Sequence, residues 1–432
     1  MRTTDPYLVI TRDAAEKIKN APISSGEIGM RHNAADNVYI VDKVEILRQT
    51  RVGIVVPSEY RVLQAGERGP VGQWMRQPSP EINQLHVNLL MRPGTCIAFE
   101  KFRTLVSGVE DPGASAGLLI THDPDLDEEW RRVGGRELAG WLITRSGVWP
   151  MHVDLEPESF GLGQLADQWP VQDLADRSTM VVGLGSIGGI ATDALAAYGV
   201  GRLELVDPDR FLWHNMVRHV LGPESVGAFK VDAMKRRLAH AWPDADIRPH
   251  RLDVVLDAHV IRALAATVDV IVCCADGVAP RRVVSHLARR AGIPAILACV
   301  LDDGAIGEVL RLRPGSRFGC LLCHRAYLAS IGAIDPEADQ ELDYGTGHTH
   351  RPMTAVPPDL HLMGEVAAKT AVATLLEAHH GDHTQILPGD QAVIGLRPGG
   401  DLGAPYDVKR AGAVVWSSIQ PPRPNCPTCT TS

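Results

Sequence analysis

The stretch "MVVGLGSIGGIATDALAAYGVGRLELVDPDR", residues 180–210, decides the fold. An apolar strand leads into a glycine-rich turn, a helix follows, and a second strand ends at Asp207. Gly183, Gly185 and Gly188 permit a tight turn that brings backbone N–H groups close to phosphate oxygens at a helix N-terminus. The pattern predicts a nucleotide site, and the acidic residue suits the ribose of either a nicotinamide dinucleotide or ATP.

The alternation of strand and helix continues beyond this stretch. Helical periodicity recurs in "AFKVDAMKRRLAHAW" and "RRVVSHLARRAG", and apolar strands recur in "VDVIVCCAD" and "PAILACVL". This alternation predicts an α/β fold, a Rossmann-like doubly wound parallel sheet with helices on both faces. Further on, "MGEVAAKTAVATLLEAHH" predicts one more amphipathic helix, followed by short strands.

The N-terminal part of the chain has a different texture. Residues 1–150 contain short β-rich pieces such as "NVYIVDKVEILRQTRVGIVV", separated by loops and a candidate helix, which predicts a smaller α+β domain. Residues 151–172 are predicted to form a linker. Residues 173–432 are predicted to form the nucleotide-binding domain.

Composition limits the class of protein. The 432 residues, 45% of them hydrophobic, are enough for two or three globular domains. A net charge of −9 has the wrong sign for a protein that binds by neutralising nucleic-acid phosphates. The sequence shows neither a signal peptide nor a run of about 20 apolar residues, so we expect a cytoplasmic protein that spans no membrane.

A second group of residues favours ATP over a nicotinamide dinucleotide. The segments "DPDRFLWHNMVRH" and "SVGAFK" place an Asn, an Arg and a Lys just beyond the acidic strand end, where chemistry on ATP phosphates needs cations and donors. Their order, D-x-D-x5-N-x2-R-H and then V-G-x-x-K, resembles the ThiF/MoeB superfamily, which includes the adenylation domains of ubiquitin-activating enzymes. The resemblance covers residues 165–432 and implies an ATP-dependent adenylyltransferase.

That resemblance assigns roles to individual residues. It implies that Asp207, with Asp209, binds the ribose side of ATP, and that Asp276 holds Mg²⁺. It also implies that Asn215, Arg218 and Lys230 contact the triphosphate. Taken singly, the Arg and the Lys also fit solvated helix charges, and Asp276 also fits a helix cap. His219 departs from the family pattern, which has Gln at this point.

Two C-x-x-C motifs indicate a metal site. Cys320 and Cys323 form the first pair, and Cys426 and Cys429 form the second. Four thiolates with this spacing are typical of tetrahedral Zn²⁺, and the resemblance implies the same pair of motifs. A redox motif and four unrelated buried cysteines are the alternatives, but a second C-x-x-C has no redox purpose.

Members of the resembled family that transfer the acyl group to themselves carry a cysteine after the first C-x-x-C. Here the corresponding segment, residues 324–364, contains none. Cys273, Cys274 and Cys299 lie in predicted apolar strands and are expected in the core. Cys96 is the remaining candidate thiol.

The surroundings of Cys96 resemble a ubiquitin-conjugating enzyme. His86-Val87-Asn88 stands eight residues before it, where that family has His-Pro-Asn, and "PSEYR" stands in place of a P-x-x-Y-P turn. An Asn side chain near a thioester can stabilise the oxyanion that forms when an amine attacks. The alternative is that Cys96 is a buried residue of an unrelated α+β domain. A zinc-dependent deubiquitinase is disfavoured for this domain, because residues 1–150 contain no H-x-H with a following Asp.

The sequence thus predicts an enzyme that uses ATP and Mg²⁺ to adenylate the C-terminal carboxylate of a small ubiquitin-like or carrier protein ending in Gly. A thioester follows, with Cys96 as the candidate thiol. The resemblance of the two domains implies a bacterial ubiquitin-like conjugation system. One alternative is adenylation of a ribosomal peptide or sulfur carrier, with the N-terminal domain as a binding clamp. A second is a non-catalytic scaffold. The resemblance also implies a homodimer, although the segment whose Arg reaches a neighbouring site in family dimers is missing.

Overall fold

The computed structural model describes residues 6–58, 60–76, 81–111, 116–157, 161–333, 355–399 and 402–430. The chain forms two compact units, Met1–Phe160 and Gly161–Ser432. Each unit has its own sheet and its own hydrophobic core. The division lies within residues 151–172, since the last strand of the first unit runs to Leu155 and a helix of the second unit begins at Val171.

An eight-stranded mixed sheet forms the first unit. Its strands are β1 (Tyr7–Ile10), β2 (Ser25–Asn33), β3 (Val38–Leu47), β4 (Thr50–Gly53), β5 (Glu67–Arg76), β6 (Gly117–His122), β7 (Leu138–Thr144) and β8 (Gly147–Leu155). They lie in the order β1-β8-β7-β6-β5-β2-β3-β4. Because β1 pairs with both β8 and β3, the sheet closes on itself and leaves β4 at an edge.

Helices pack on both faces of this first sheet. They are α1 (Arg12–Lys19), α2 (Arg61–Gln64), α3 (Glu81–Leu90), α4 (Phe99–Leu105) and α5 (Glu128–Arg132). Trp74 and Met75 are neighbours in β5 and therefore point to opposite faces. Trp74 shares a core with Ile18 of α1, whereas Met75 shares one with Ile82 of α3 and Phe102 of α4.

The second unit is built on another eight-stranded sheet. Its strands are β9 (Ser178–Val182), β10 (Arg202–Val206), β11 (Asp246–His250), β12 (Val270–Cys273), β13 (Ala295–Leu301), β14 (Ile306–Leu312), β15 (Gln391–Gly395) and β16 (Val414–Ser417). The order is β11-β10-β9-β12-β13-β14-β15-β16. The first five strands are parallel, and β14, β15 and β16 are joined to them antiparallel.

Helices cover both faces of the second sheet. They are α6 (Val171–Ala175), α7 (Ser186–Tyr198), α8 (Lys230–Ala241), α9 (Ala258–Ala265), α10 (Val278–Ala291), α11 (Leu321–Ser330) and α12 (Pro357–His380). Val181 and Val182 of β9 point to opposite faces. Val181 packs in the core of α7, α8 and α12, and Val182 packs in the core of α9 and α10.

Helix α12 has 24 residues and lies directly against α7. Gly364 of α12 permits this close approach because it has no side chain. A Cβ there would come within 2.6 Å of the Ile187 carbonyl oxygen. Over the parts of the chain that the structure describes, no helix combines the length and the apolar character needed to cross a membrane.

The predicted α/β class and its alternating strands and helices are confirmed, with one addition at the edge of the sheet. The chain turns from β13 into β14 through Asp302, Asp303 and Gly304, all of which have positive φ. Such a short connection can join only antiparallel strands, because a parallel pair needs a crossover of a dozen residues or more. The sheet is therefore mixed.

The strand order creates a crevice where a ligand can bind. β9 lies between β10 and β12, and the chain runs from β9 to β10 on one side before it returns to β12 on the other. In open α/β sheets, ligands bind outside the carboxyl ends of the strands at such a reversal point. The glycine-rich loop follows β9, and Asp276 follows β12, so both lie at this crevice.

Candidate nucleotide and metal sites

The three glycines of the loop after β9 serve different purposes. Gly183 has φ +83, and a Cβ there would lie 2.5 Å from the Ala275 Cα atom. A Cβ on Gly188 would lie 1.8 Å from the Gly183 carbonyl oxygen. Gly185 has φ −77, and a Cβ there would contact nothing within 4 Å. Packing thus requires the first and last glycines, whereas the middle one borders open space.

The N-terminus of α7 faces this space with free backbone donors. The intrahelical ladder begins where the Gly189 N–H donates to the Gly185 carbonyl at 2.8 Å. The N–H groups of Ser186, Ile187 and Gly188 therefore have no acceptor within the helix. Gly185 is the N-cap and offers no side chain to satisfy them. Such a helix end is suited to an anion, and a phosphate group fits its donors.

Asp207 fixes the glycine-rich loop from the end of β10. It is 5% exposed. Its Oδ2 atom accepts the Leu184 N–H at 2.6 Å, and its Oδ1 atom accepts the Asp209 N–H at 2.8 Å. Burial raises the pKa of Asp207, and the positive charge of Lys230 opposes that rise. The residue predicted to bind ribose therefore also orders the loop.

Lys230 is the first residue of α8 and is 8% exposed. Its Nζ atom lies 2.8 Å from Asp209 Oδ2 and 3.7 Å from Asp207 Oδ1. Burial lowers the pKa of Lys230, but the carboxylates of Asp207 and Asp209 outweigh that effect and raise it above its usual value. The ammonium group is thus charged where the chain is poorly hydrated.

Asn215 and Arg218 lie on the segment that follows β10. A 3-10 turn over Trp213–Asn215 places the Asn215 Oδ1 atom where it accepts the Leu212 N–H at 2.8 Å. The Arg218 N–H donates to the Asn215 carbonyl at 3.1 Å. This hydrogen bond fixes the orientation of the Asn215 side chain, whose NH₂ group is a hydrogen-bond donor. Arg218 is half-buried.

Asp276 completes the group at the carboxyl end of β12. Asp276 has an exposed residue surface, yet desolvation at its carboxylate raises the pKa of Asp276, and the positive charges of Arg218, Lys230 and Arg281 each act in the opposite direction. Asp276 in turn raises the pKa of Lys230. The fold thus brings Arg218, Lys230 and Asp276, which are far apart in sequence, within electrostatic reach of one another. Oxygen ligands such as this carboxylate suit Mg²⁺, which prefers one or two carboxylates together with phosphates.

Arg281 is a residue that sequence reasoning missed. It lies in the first turn of α10, is 1% exposed, and its Nη1 atom is 2.9 Å from the Cys299 Sγ atom. Its Nε–H donates to the Gly277 carbonyl at 2.9 Å. A buried guanidinium beside Asp276 had no signal in the sequence, where "APRR" is typical of solvated helix charges.

The four cysteines of the C-x-x-C motifs converge on one point. Their Sγ atoms all lie within 4.8 Å of one another. The separations are 3.8 Å for Cys320 and Cys323, 3.6 Å for Cys320 and Cys426, and 3.8 Å for Cys323 and Cys429. Tetrahedral Zn²⁺ with Zn–S bonds of about 2.3 Å requires sulfur atoms about 3.8 Å apart. The cluster fits one such ion.

The chain supports this cluster from both sides. Cys320 is the N-cap of α11, and the Arg423 N–H donates to the Cys323 Sγ atom at 3.4 Å. Cys426 is fully buried. The adjacent His324 is turned away, since its Nε2 atom lies 3.1 Å from Gln391 Oε1. Among the described residues, this cluster is the single group of three or more His, Cys, Asp or Glu side chains with metal-binding geometry.

The remaining cysteines lie in different surroundings. Cys273 and Cys274 are buried, as expected, and burial raises the pKa of Cys273 to about 11. Cys299 is half-buried rather than fully in the core. The segment after the first C-x-x-C is described only up to residue 333 and from residue 355.

Cys96 is half-buried in the connection between α3 and α4. The His86-Val87-Asn88 triplet lies within α3, where the His86 imidazole is buried. Its Nε2 atom is 3.0 Å from both the Gly140 and the Met151 carbonyl oxygens. Burial lowers the pKa of His86 to about 4. His86 thus joins a helix to two strands, and Asn88 lies exposed on the same helix.

Comparison with known proteins bears on the second unit. A model described as the ThiF family matches residues 161–387, more than half of the 432 residues. The ubiquitin-like modifier-activating enzyme 5 of Oryza sativa subsp. japonica is 29% identical over 179 residues, 39% of this chain and 42% of the relative. The Drosophila ananassae protein of the same name is 27% identical over 160 residues, which cover 35% of this chain and 40% of the relative. The chain thus spans about two fifths of the length of these curated relatives.

Among solved structures, E. coli MccB with AMPCPP and MccA is similar over 60% of this chain and 68% of that chain. The sequence identity is 19% and the TM-score is 0.44. The ThiF match begins at residue 161, so the resemblance of the first unit to ubiquitin-conjugating enzymes stays a prediction.

The cysteine geometry predicts a structural metal. Purified protein is expected to carry about one zinc ion per chain, and Cys426→Ser is expected to lose it and to melt about 5 °C lower, because structural zinc contributes directly to folding. Elemental analysis and thermal unfolding measure both effects. Cys96→Ser, which lies outside the cluster, is the control and should keep its zinc. Protein purified without chelator that contains no zinc would contradict the assignment.

Proposed function

Because the chain belongs to the ThiF family, we propose that it uses ATP and Mg²⁺ to adenylate the C-terminal carboxylate of a small ubiquitin-like protein. The observation that carries this proposal is the open space at Gly185, bordered by a helix N-terminus, at the same sheet edge where Lys230, Arg218 and Asp276 interact electrostatically. Phosphate oxygens in that space would meet backbone donors on one side and cations on the other.

The arrangement of charge favours ATP over a nicotinamide dinucleotide. A hydride-transfer enzyme has no use for a buried ammonium next to the ribose acid, since its cofactor reacts at the nicotinamide ring. Lys230 keeps its positive charge because Asp207 and Asp209 lie beside it. A triphosphate carries the negative charge that this ammonium and Arg218 can balance.

The proposed reaction is an adenylyl transfer. A carboxylate oxygen of the partner attacks the α-phosphorus of ATP and forms an acyl-phosphate bond, while the bond from that phosphorus to the bridging oxygen breaks and pyrophosphate leaves. Negative charge accumulates on the phosphate oxygens, and Arg218 and Lys230 offset it. Mg²⁺, held by Asp276, would supply further positive charge to the phosphates.

The substrate class rests on the curated relatives, which are named ubiquitin-like modifier-activating enzymes. A ubiquitin-like protein ending in Gly presents its carboxylate on a thin, extended tail, because glycine has no side chain. We propose that the acyl group then passes to the Cys96 thiol, with release of AMP and formation of a thioester. Cys96 is half-buried in the first unit, so this step requires the adenylate to reach its thiol.

The first test of adenylation is pyrophosphate exchange into ATP. We expect exchange when a small ubiquitin-like protein ending in Gly is present. We expect no exchange when the C-terminal carboxylate of that protein is converted to an amide. Asp276→Ala should reduce the rate at least about 100-fold, because it removes a ligand that stabilises the transition-state charge. Asp246→Ala, an exposed acid at the start of β11, is the control and should exchange like wild type.

Equal exchange by wild type and Asp276→Ala would contradict the magnesium assignment. Exchange with short peptides, and none with any ubiquitin-like protein, would contradict the substrate class while leaving the adenylation itself intact.

The second test separates ligand binding from packing in the glycine loop. Gly185→Ala should fold normally, since its Cβ meets open space at an ordinary φ, but should bind ATP at least about 10-fold more weakly because the methyl group occupies the phosphate cradle. Gly188→Ala should instead lower the melting temperature, because its Cβ would overlap the Gly183 carbonyl. Calorimetric titration with ATP and thermal unfolding provide the two readouts. Unchanged ATP affinity in Gly185→Ala would place the nucleotide elsewhere.

The third test concerns Cys96. Protein incubated with ATP, Mg²⁺ and the active ubiquitin-like protein should form an adduct on a non-reducing gel that dithiothreitol removes. Cys96→Ser should abolish this adduct and leave pyrophosphate exchange near the wild-type rate, since the thiol acts only after the adenylate forms. Cys299→Ser is the matched control and should still form it. An adduct that survives Cys96→Ser would assign the first unit a role in partner binding only.

A further inference from the structure

His219 is buried between the glycine-rich loop and the segment that carries Asn215 and Arg218. Its Nε2 atom lies 2.7 Å from the Leu184 carbonyl oxygen. Its Nδ1 atom accepts the Leu221 N–H at 3.1 Å. One imidazole therefore bonds to two separate stretches of backbone.

These two bonds determine which ring nitrogen carries the proton. An N–H group can donate only to a lone pair, so Nδ1 is unprotonated and Nε2 carries the hydrogen that it donates to Leu184. The imidazole is thus neutral. Burial supports this state, because it lowers the pKa of His219 to about 4, and nearby Lys230, His361 and Arg218 lower it too.

The bond from His219 completes the restraint of a single loop residue. Asp207 accepts the Leu184 N–H at 2.6 Å, while His219 donates to the Leu184 carbonyl at 2.7 Å. The carbonyl of a trans peptide points opposite to the N–H of the next residue. The Leu184 carbonyl and the Gly185 N–H belong to the same peptide group. Because the carbonyl points toward His219, the Gly185 N–H points away from His219.

The same ring is fixed by its surroundings. The backbone N–H of His219 donates to the Asn215 carbonyl at 3.1 Å. The imidazole ring meets the Phe211 ring edge-on, with ring centroids 5.2 Å apart. A Cβ on Gly189 of α7 would lie 3.1 Å from the ring. A shift of the imidazole would therefore move either the glycine-rich loop or the segment that carries Asn215 and Arg218.

We propose that His219 is a positioning residue that holds the glycine-rich loop and the Asn215–Arg218 segment in the register that binds ATP phosphates. It acts through Leu184 and does not itself contact the nucleotide. This inference rests on the proposed function, since it names how one residue shapes that same ATP site.

A side-chain amide offers the same pair of groups as a neutral imidazole, one N–H donor and one acceptor. His219→Gln is therefore expected to preserve both bonds. His219→Phe keeps a ring of similar shape beside Phe211 and Gly189 but has neither group. The two variants separate the hydrogen bonds from the packing.

The experiment measures ATP·Mg²⁺ affinity by calorimetry in the full-length protein, with no carboxylate partner present. We expect His219→Phe to bind ATP about 10-fold more weakly or worse, and His219→Gln to stay within about 3-fold of wild type. In pyrophosphate exchange with saturating partner, the Phe variant should show its loss as a raised KM for ATP rather than a lowered kcat. Melting temperature and zinc content of each variant report whether the fold is intact.

Equal ATP affinity in wild type and a folded His219→Phe variant would overturn the proposal, as would an equal loss in the Gln and Phe variants. If the Phe variant does not fold, the Gln variant decides the question. A large loss of ATP affinity in a folded Gln variant would show that the hydrogen bonds to Leu184 and Leu221 are not what positions the loop. Wild-type protein that fails to bind ATP would instead overturn the proposed function.

Discussion

The nucleotide site depends on the hydrogen bond from the Leu184 N–H to the buried carboxylate of Asp207. Gly183 adopts φ +83 and lies against Ala275, which leaves the following residue pointing across the crevice toward β10. A 2.6 Å bond to a carboxylate is charge-assisted and hence stronger than a neutral one. It joins the loop after β9 to the end of β10.

Burying that carboxylate has an electrostatic cost, which Lys230 offsets. Asp207, Asp209 and Lys230 form a compact group with two negative charges and one positive charge. Asp207 and Lys230 are buried, whereas the Asp209 side chain is largely exposed. Removing Lys230 would therefore leave the Asp207 carboxylate buried without its positive partner, which is strongly unfavourable. The same carboxylates that order the loop therefore keep Lys230, the residue proposed to contact the ATP phosphates, in its charged form.

The sequence predicted the parallel part of the second unit well, because most elements between residues 178 and 301 carry the apolar pattern of a strand or the periodicity of a helix. It also predicted the convergence of the four cysteines, from the spacing within each C-x-x-C pair together with the resemblance to a family that carries both motifs. The antiparallel hairpin after β13 was missed, although Asp302-Asp303-Gly304 between two apolar runs is a hairpin signal, since aspartate and glycine suit the three positive-φ positions of the turn. Arg281 and His219 were missed as parts of the site because their partners, Cys299 and the Leu184 carbonyl, are brought to them only by tertiary structure. The triplet before Cys96 has the spacing of a loop motif but lies in a helix, where His86 packs between strands.

A metal ion that binds the four cysteines before folding is complete would also change the unfolded chain. Cys320 and Cys426 are 106 residues apart, and the segment between them contains α12, β15 and β16. A crosslink that closes a loop of about 100 residues removes roughly 4–5 kcal/mol of conformational entropy from the unfolded ensemble in the chain-entropy model. With a metal ion bound, the unfolded chain would therefore be a tethered ring rather than an open coil, and the antiparallel edge of the sheet would always remain close to the strands on which it must assemble.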